Sequence, residues 1–375
     1  MKPPFSYFGG KSGMARAIAG VLPPHRVYLE PFAGSLAVLF AKRPSAHEVV
    51  NDVDQALVTF FRVLRGRPAE LAEVCRLTPY ARAEYEAADL TSDPSVDDLE
   101  LARRFWVRVN QSFAKTTATT TGFSMTIARN QAPSTTVQNR IGRFLACAER
   151  LANVTVECRP AIEIIERLGS RPETVIYADP PYLGSVRSRG RLSAVDYRHD
   201  MASDQAHIEL AAALRSSPAT VVISGYPSDL YSELYGDWWS WDFRVVAHSS
   251  NARRSARTGR TERIWCNHDL GAGRLPLGGR SASGCERLTM EEDRAEITPL
   301  AQARQRIDAS GRRARGQTDR PASGDPSPAG KGERGGCLVV TRHPPGAHAA
   351  SAAAPTVSTM TLAASASRFH WSSMG

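Results

Sequence analysis

Short apolar runs recur along the chain as far as Asp269, separated by stretches whose apolar positions fall three and four apart. Val27-Tyr28-Leu29-Glu30 and Val49-Val50-Asn51-Asp52 read as buried strands, with a helix over about Leu36 to Lys42 between them. From Gln55 to Arg65, the residues Ala56, Leu57, Phe60, Phe61 and Leu64 mark one face of a further helix, and its aromatics belong to a core rather than to a contact. Val154-Thr155-Val156-Glu157-Cys158 is the next strand, followed by a helix at Ile162 to Leu168 and a strand at Val175 to Ala178. A helix at about Asp204 to Leu214 and a strand at Val221 to Ser224 complete the alternation. Phe243 to Ala247 and Arg263 to Cys266 read as an antiparallel hairpin closing the sheet. The pattern predicts an α/β fold with a mixed sheet.

Two stretches break the pattern. Residues 66–150 hold two or three helical segments, including Ala102 to Val109, around a threonine-rich run from Thr116 to Thr121. Gln111, Lys115, Asn130, Gln131, Gln138, Asn139 and Arg140 supply amides and cations of the kind that read base edges and phosphates, which predicts a target-recognition insert, with a structural helical cap carrying a mobile loop as the alternative. From Leu270 onward Ala, Gly, Pro and Ser make up roughly half the residues without sustained apolar periodicity, a composition that predicts a disordered tail over 270–375. A short helix at about Glu291 to Ile307 is the exception the pattern allows. The domain predicted from the pattern is therefore 1–269.

The strongest chemical signal is Asp179-Pro180-Pro181-Tyr182, at the end of the Val175 strand. Two prolines cannot extend a ladder, so the strand must end in a stiff loop presenting a carboxylate and a ring. An aromatic amine is a poor nucleophile because its lone pair is spread into its ring. Two acceptors, Asp179 and the Pro180 carbonyl, would draw such a nitrogen towards tetrahedral geometry, and Tyr182 would stack on the base that carries it.

Tyr7-Phe8-Gly9-Gly10-Lys11-Ser12 looks like a phosphate loop, but Phe5 stands where the nucleotide-triphosphate pattern needs glycine and Pro3-Pro4 where it needs a strand. Pro31-Phe32-Ala33-Gly34-Ser35 is a tight strand-to-helix turn. Asp52 follows Glu30 by about 20 positions, the spacing at which such units place an acid on ribose hydroxyls. Leu36 occupies the place of a second glycine, so the turn suits a small adenosine cofactor better than a pyrophosphate. His199, ahead of a helix, reads as a cap or surface residue, with contact to the substrate as the alternative.

Composition changes this picture little. The 375 residues are 42% hydrophobic, enough for a substantial core, and the formal charge of +9 suits a polyanion, although part of that excess lies in the tail. Arg187, Arg189 and Arg191, and Arg253, Arg254, Arg257, Arg260 and Arg263, are local clusters suited to phosphates. Six scattered cysteines without zinc spacing predict reduced thiols and no metal. No apolar window or leader pattern predicts a membrane segment or export, so the cytoplasm is the expected compartment.

Taken together, Tyr-Phe-Gly-Gly-Lys, Glu-Pro-Phe-Ala-Gly-Ser, Asn-Asp-Val-Asp, the insert, Asp-Pro-Pro-Tyr and Arg-Thr-Glu-Arg-Ile-Trp resemble, over about residues 3 to 269, the Dam-like (D12 class) DNA adenine methyltransferases, especially the forms carried by phages and mobile elements. The resemblance implies a Rossmann-like domain, S-adenosylmethionine as methyl donor, and double-stranded DNA as partner, with the chain a monomer or weak dimer. It implies cofactor contacts at Tyr7, Gly10, Lys11, Phe32, Gly34, Asp52 and Asp179, and catalytic roles for Asp179, Pro180, Pro181 and Tyr182. Leu36 and Pro160 depart from the family pattern and bear on cofactor affinity. The alternatives left open are methylation of cytosine N4 and an inactive DNA-binding relative.

Overall fold

The computed structural model describes residues 1–91, 95–113, 115, 117, 122–125, 132–186, 199, 201–247, 261–270, 336–346, 358–363 and 369–373. Two compact units divide the chain. The first comprises Met1–Phe243, Arg260–Gly278 and Arg342–Thr356, and the second Arg244–Gly259, Gly279–Thr341 and Val357–Gly375.

In the first unit the chain runs α1 (Ala15–Val21), β1 (Val27–Glu30), α2 (Ala37–Ala41), β2 (His47–Asn51) and α3 (Gln55–Gly66). There follow α4 (Pro68–Leu77), α5 (Arg82–Ala87), α6 (Asp98–Gln111), α7 (Pro133–Ile141) and α8 (Phe144–Leu151). The sheet resumes with β3 (Val154–Glu157), α9 (Ala161–Gly169) and β4 (Thr174–Ala178), then α10 (Asp204–Ser216), β5 (Thr220–Gly225), α11 (Asp229–Tyr235), β6 (Trp239–Ala247) and β7 (Glu262–Cys266).

These strands lie in the order β6-β7-β5-β4-β1-β2-β3. β3, β2, β1, β4 and β5 are mutually parallel, whereas β7 runs antiparallel to both β5 and β6. The mixed α/β architecture is the expected one, with the hairpin closing the sheet. Strand order reverses between β1 and β4, which opens a crevice at their carboxyl ends.

Local chemistry explains where the helices begin. Asp54 caps α3 by accepting from Ala56 N, and Asp97 caps α6 by accepting from Glu100 N. Ser203 and Ser228 cap α10 and α11 in the same way. One face of the sheet buries Ile176, Val221 and Ile223 against Ile164 and Ile165 of α9, Leu210 and Leu214 of α10, and Tyr231 of α11. A second core is aromatic: Phe5, Phe60, Phe61, Phe105, Trp106 and Phe144 are buried in mutual ring contact, tying the N-terminal segment to α3, α6 and α8. Phe60 and Phe61 are core residues, as their helical spacing predicts.

The 66–150 stretch holds α4 through α8 among the described residues, more helix than the sequence predicts. α4 and α7 each open with a proline at the first helical turn, a start signal that apolar periodicity does not report. Several amides and cations assigned to recognition are consumed within the fold. Gln111 is buried, accepting from Ala81 N and donating to Pro79 O, and Arg140 donates to Asn110 Oδ1 and Ser6 Oγ. Lys115 Nζ donates to Asn110 O. Asn130 and Gln131 lie outside the described residues, as do Arg187, Arg189, Arg191, Arg253, Arg254, Arg257 and Arg260. Arg263 is buried and paired with Asp242 Oδ1 at 2.5 Å across β6 and β7, a structural use rather than a phosphate grip.

Of the tail beyond Leu270, only three short stretches are among the described residues. Among its described residues β8 (Gly336–His343), β9 (Ser358–Ala363) and β10 (Phe369–Ser373) form strands, β8 and β10 each pairing antiparallel with β9. Composition averaged over the tail hides Leu338-Val339-Val340-Thr341, a local run of strand formers. Residues 271–335, including the helix expected at 291–307, lie outside the described residues. No helix among the described residues is long and apolar enough to cross a membrane.

Candidate active site

The crevice at the β1/β4 switch point holds a cavity of about 100 Å³ that opens to solvent. Tyr7, Gly10, Lys11, Phe32, Gly34, Asp52, Asp179 and Pro181 all line it. Of the residues singled out from sequence, Pro180, Tyr182 and Pro160 are not among the lining residues, the first two being buried. Pro160 instead starts α9 at φ −51°. His199, read as a cap or surface residue, lines the cavity.

The turn after β1 is shaped by backbone demands. Gly34 has φ +45° and lies against the Tyr7 ring, while a Cβ on Gly10 would come within 2.9 Å of Tyr7 O. Leu36 also adopts a left-handed conformation, φ 56°, and its side chain is completely buried. Burial of the leucine thus holds a backbone geometry that glycine reaches without strain. Asp52 sits just beyond β2 and accepts from Gly34 N through Oδ2 and Asp54 N through Oδ1. It thereby fastens the β1 turn to the end of β2. Enclosure by the cavity walls pushes its carboxyl up to about 6 against the pull of those N–H groups.

The Asp-Pro-Pro-Tyr loop is held from the opposite side. Asp179 Oδ1 accepts from Lys11 Nζ at 2.5 Å and from Ser224 Oγ at 2.9 Å, and Tyr177 OH lies 3.1 Å from the same serine oxygen. Both partners use Oδ1, which leaves Oδ2 as the oxygen with room for an amine hydrogen. Lys11 also reaches Tyr182 OH at 2.6 Å, Glu262 Oε1 at 3.0 Å and Gly9 O at 3.2 Å. Burial disfavours the Lys11 ammonium, but the charges of Asp179 and Glu262 outweigh it and hold its pKa above the ordinary lysine range. Tyr182 is buried, donating its hydroxyl to Glu262 Oε1 at 2.8 Å, and its ring packs on Tyr226 with centroids 4.5 Å apart.

Three contributors were missed in the sequence reading. Glu30 lines the cavity with its carboxylate accepting from Tyr28 OH, and burial pushes it up to about 8, with repulsion from Asp179 adding to the shift. Its signal was its place in Glu-Pro-Phe-Ala-Gly-Ser. Ser224 carried no local signal and Glu262 only its place in Arg-Thr-Glu-Arg-Ile-Trp; the order of β4, β5 and β7 brings the two to Asp179 and Tyr182. Acids outnumber bases here: Asp52, Asp54 and Asp179 line the cavity with Glu30, which its raised pKa keeps protonated near pH 7, and Lys11 is the only lysine or arginine among the lining residues. Such a cavity suits a cationic ligand. No cluster of His, Cys, Asp or Glu among the described residues could hold a metal ion.

The site thus joins a cavity at the switch point of a mixed α/β sheet to an acid-proline-proline-tyrosine loop at the adjoining strand end. The model of the D12 class N6 adenine-specific DNA methyltransferases matches residues 7–251. The chain belongs to that family, and is accordingly an adenine-specific DNA methyltransferase. Among solved structures, protein LPL1258 from Legionella pneumophila str. Philadelphia 1 is similar at 12% identity, covering 70% of this chain and 85% of that one, with a TM-score of 0.26. At that score it carries no argument.

Proposed function

We propose that the chain is a site-specific enzyme transferring a methyl group from S-adenosylmethionine to the N6 amine of adenine turned out of duplex DNA, on a Rossmann-like domain. The observation that carries this reading is the meeting of a carboxylate-rich cavity with the Asp179-Pro180-Pro181-Tyr182 loop across one wall. A net-cationic cofactor fits the donor set, since Glu30 is a buried acid that an approaching positive charge would ionise. Tyr7, Gly10, Lys11, Phe32, Gly34, Asp52 and Asp179 are the residues assigned to hold it. When bound, the cofactor supplies an electrophilic methyl on a sulfonium that leaves as a neutral thioether.

The chain's own part is to orient and polarise the amine. Asp179 Oδ2 and the Pro180 carbonyl each accept one amine hydrogen, drawing the nitrogen lone pair out of the purine ring and aiming it into the cavity. Lys11 and Ser224, both on Oδ1, fix the carboxylate in the rotamer this requires. The proton surplus after transfer passes to solvent through the open mouth of the cavity. For adenine to stack on Tyr182, Tyr226 has to give up its place against that ring.

The test is DNA from cells expressing the wild type or Asp179→Ala, digested to nucleosides and measured by mass spectrometry. N6-methyladenine that appears with the wild type and vanishes with Asp179→Ala is expected. Methylated cytosine would keep the loop chemistry and overturn the base, and no methylated base would sink the reading.

A further inference from the structure

We propose that Glu262 is a positioning residue for methyl transfer, holding Lys11 and Tyr182 where Asp179 and the target base need them. The inference rests on the functional reading above and adds a residue to it.

Glu262 is the first residue of β7, and its side chain is only 12% exposed. β7 pairs with β5 through Ser224↔Ile264 and Gly225↔Arg263, and β5 pairs with β4, whose end carries Asp179. Sheet register therefore delivers Glu262 to the loop on a rigid element. There it touches the two groups that in turn touch the chemistry. Tyr182 OH is clamped between a donor and an acceptor, with Lys11 Nζ at 2.6 Å and Glu262 Oε1 at 2.8 Å. A ring whose hydroxyl is fixed at both lone pair and proton has one orientation to offer a base.

Glu262 also divides the charge of Lys11. The ammonium has three hydrogens and lies within 3.2 Å of four acceptors, two of them carboxylates. Without the charge at Glu262, the ammonium would settle wholly on Asp179. A carboxylate so neutralised is a weaker acceptor for the amine hydrogen that transfer depends on. Glu262 does not line the cavity, so its loss should act on the turnover step, through Tyr182 and the share of the Lys11 charge that falls on Asp179, more than on cofactor binding.

Steady-state kinetics of the full chain test this with the wild type, Glu262→Gln, Tyr182→Phe and the double variant. Glu262→Gln is expected to lower kcat by about 10- to 100-fold, with the KM for S-adenosylmethionine within about threefold of wild type. In the Tyr182→Phe background, where one of the two attachments is already gone, the same change should cost less than in the wild type. Should Glu262→Gln fail to fold by circular dichroism, Glu262→Asp serves instead, keeping the charge while withdrawing it from the tyrosine hydroxyl. Again kcat should fall with KM held. Wild-type transfer that these variants leave intact, or losses that add fully in the double variant, would overturn this role alone. Absence of methyl transfer by the wild type would sink the functional reading and this role with it.

Discussion

Lys11 Nζ lies 2.5 Å from Asp179 Oδ1, joining residues 168 positions apart in the chain. The contact ties the glycine-rich N-terminal loop to the Asp-Pro-Pro-Tyr loop. Lys11→Met should therefore abolish methyl transfer, by 100-fold or more, and also weaken the fold. Breaking a buried ion pair typically costs about 3–5 kcal/mol, and hydration of the 18% exposed Asp179 side chain should keep the loss at or below the lower figure. Urea unfolding and methyl incorporation measure the two effects separately.

Glu30 predicts a pH dependence. Its pKa is raised from about 4.5 to about 8 in the ligand-free fold, so between those values the fold keeps a proton the unfolded chain has lost. Its contribution to stability is full below the lower value and is lost as pH rises through the upper one. A cation in the cavity reverses the preference, and its binding should release that proton. Affinity for S-adenosylmethionine should rise by up to tenfold per pH unit below about 8 and then level off. Calorimetry in buffers of different ionisation enthalpy reads the released proton, and Glu30→Gln should remove this contribution at pH 7.

Leu36 sets a backbone preference against a packing preference. Relief of left-handed strain in Leu36→Gly returns about 1 kcal/mol, whereas losing a fully buried leucine costs about 2–5 kcal/mol, so the variant should be less stable than the wild type. Leu36→Ala loses nearly the same packing and keeps the strain. Glycine should therefore be the better of the two by about 1 kcal/mol, the reverse of their usual helical ranking. Thermal melts that place alanine above glycine would contradict the strained geometry at φ 56°.

Glu48 of β2 binds Lys42 and Arg150 with its two oxygens and accepts from Ser45 N, all with little exposure. Burial alone would raise its pKa, but the hydrogen bonds from Arg150 and Lys42 outweigh that and hold it below the usual carboxylate range. Its stabilisation is thus present above the unfolded pKa and lost as pH falls through the folded one. Glu48→Gln leaves two cations with one neutral acceptor, and should cost about 2–4 kcal/mol at pH 7 in denaturant titrations. The loss should shrink as the pH is lowered into the range where the wild-type carboxylate protonates.

Much of the sheet was legible because buried parallel strands declare themselves as short apolar runs. Val27–Glu30 matches to the residue, and the other core strands differ only at their ends. The residues lining the cavity were legible because turns demand particular chemistry, as at Gly10, Gly34 and the double proline. What escaped notice depends on distant pairing. Gln111 and Arg140 have side chains that look free for DNA until the fold supplies Ala81, Pro79, Asn110 and Ser6 as partners. Glu262 looks like one charge in a basic hairpin until β7 carries it to Tyr182. The strands of the tail were diluted by the composition around them, and α4 and α7 are announced by proline rather than by periodicity.

Because Lys11 shares its charge with Glu262, two segments 251 positions apart in the chain complete one ionic cluster. The cavity's glycine loop, its turn and its catalytic proline loop are all synthesised well before residue 262 emerges. A nascent chain stopped between β4 and β7 would carry every motif of the site with the ammonium still resting on Asp179 alone. Competence would arrive in one late step, when the closing hairpin folds back beside β5.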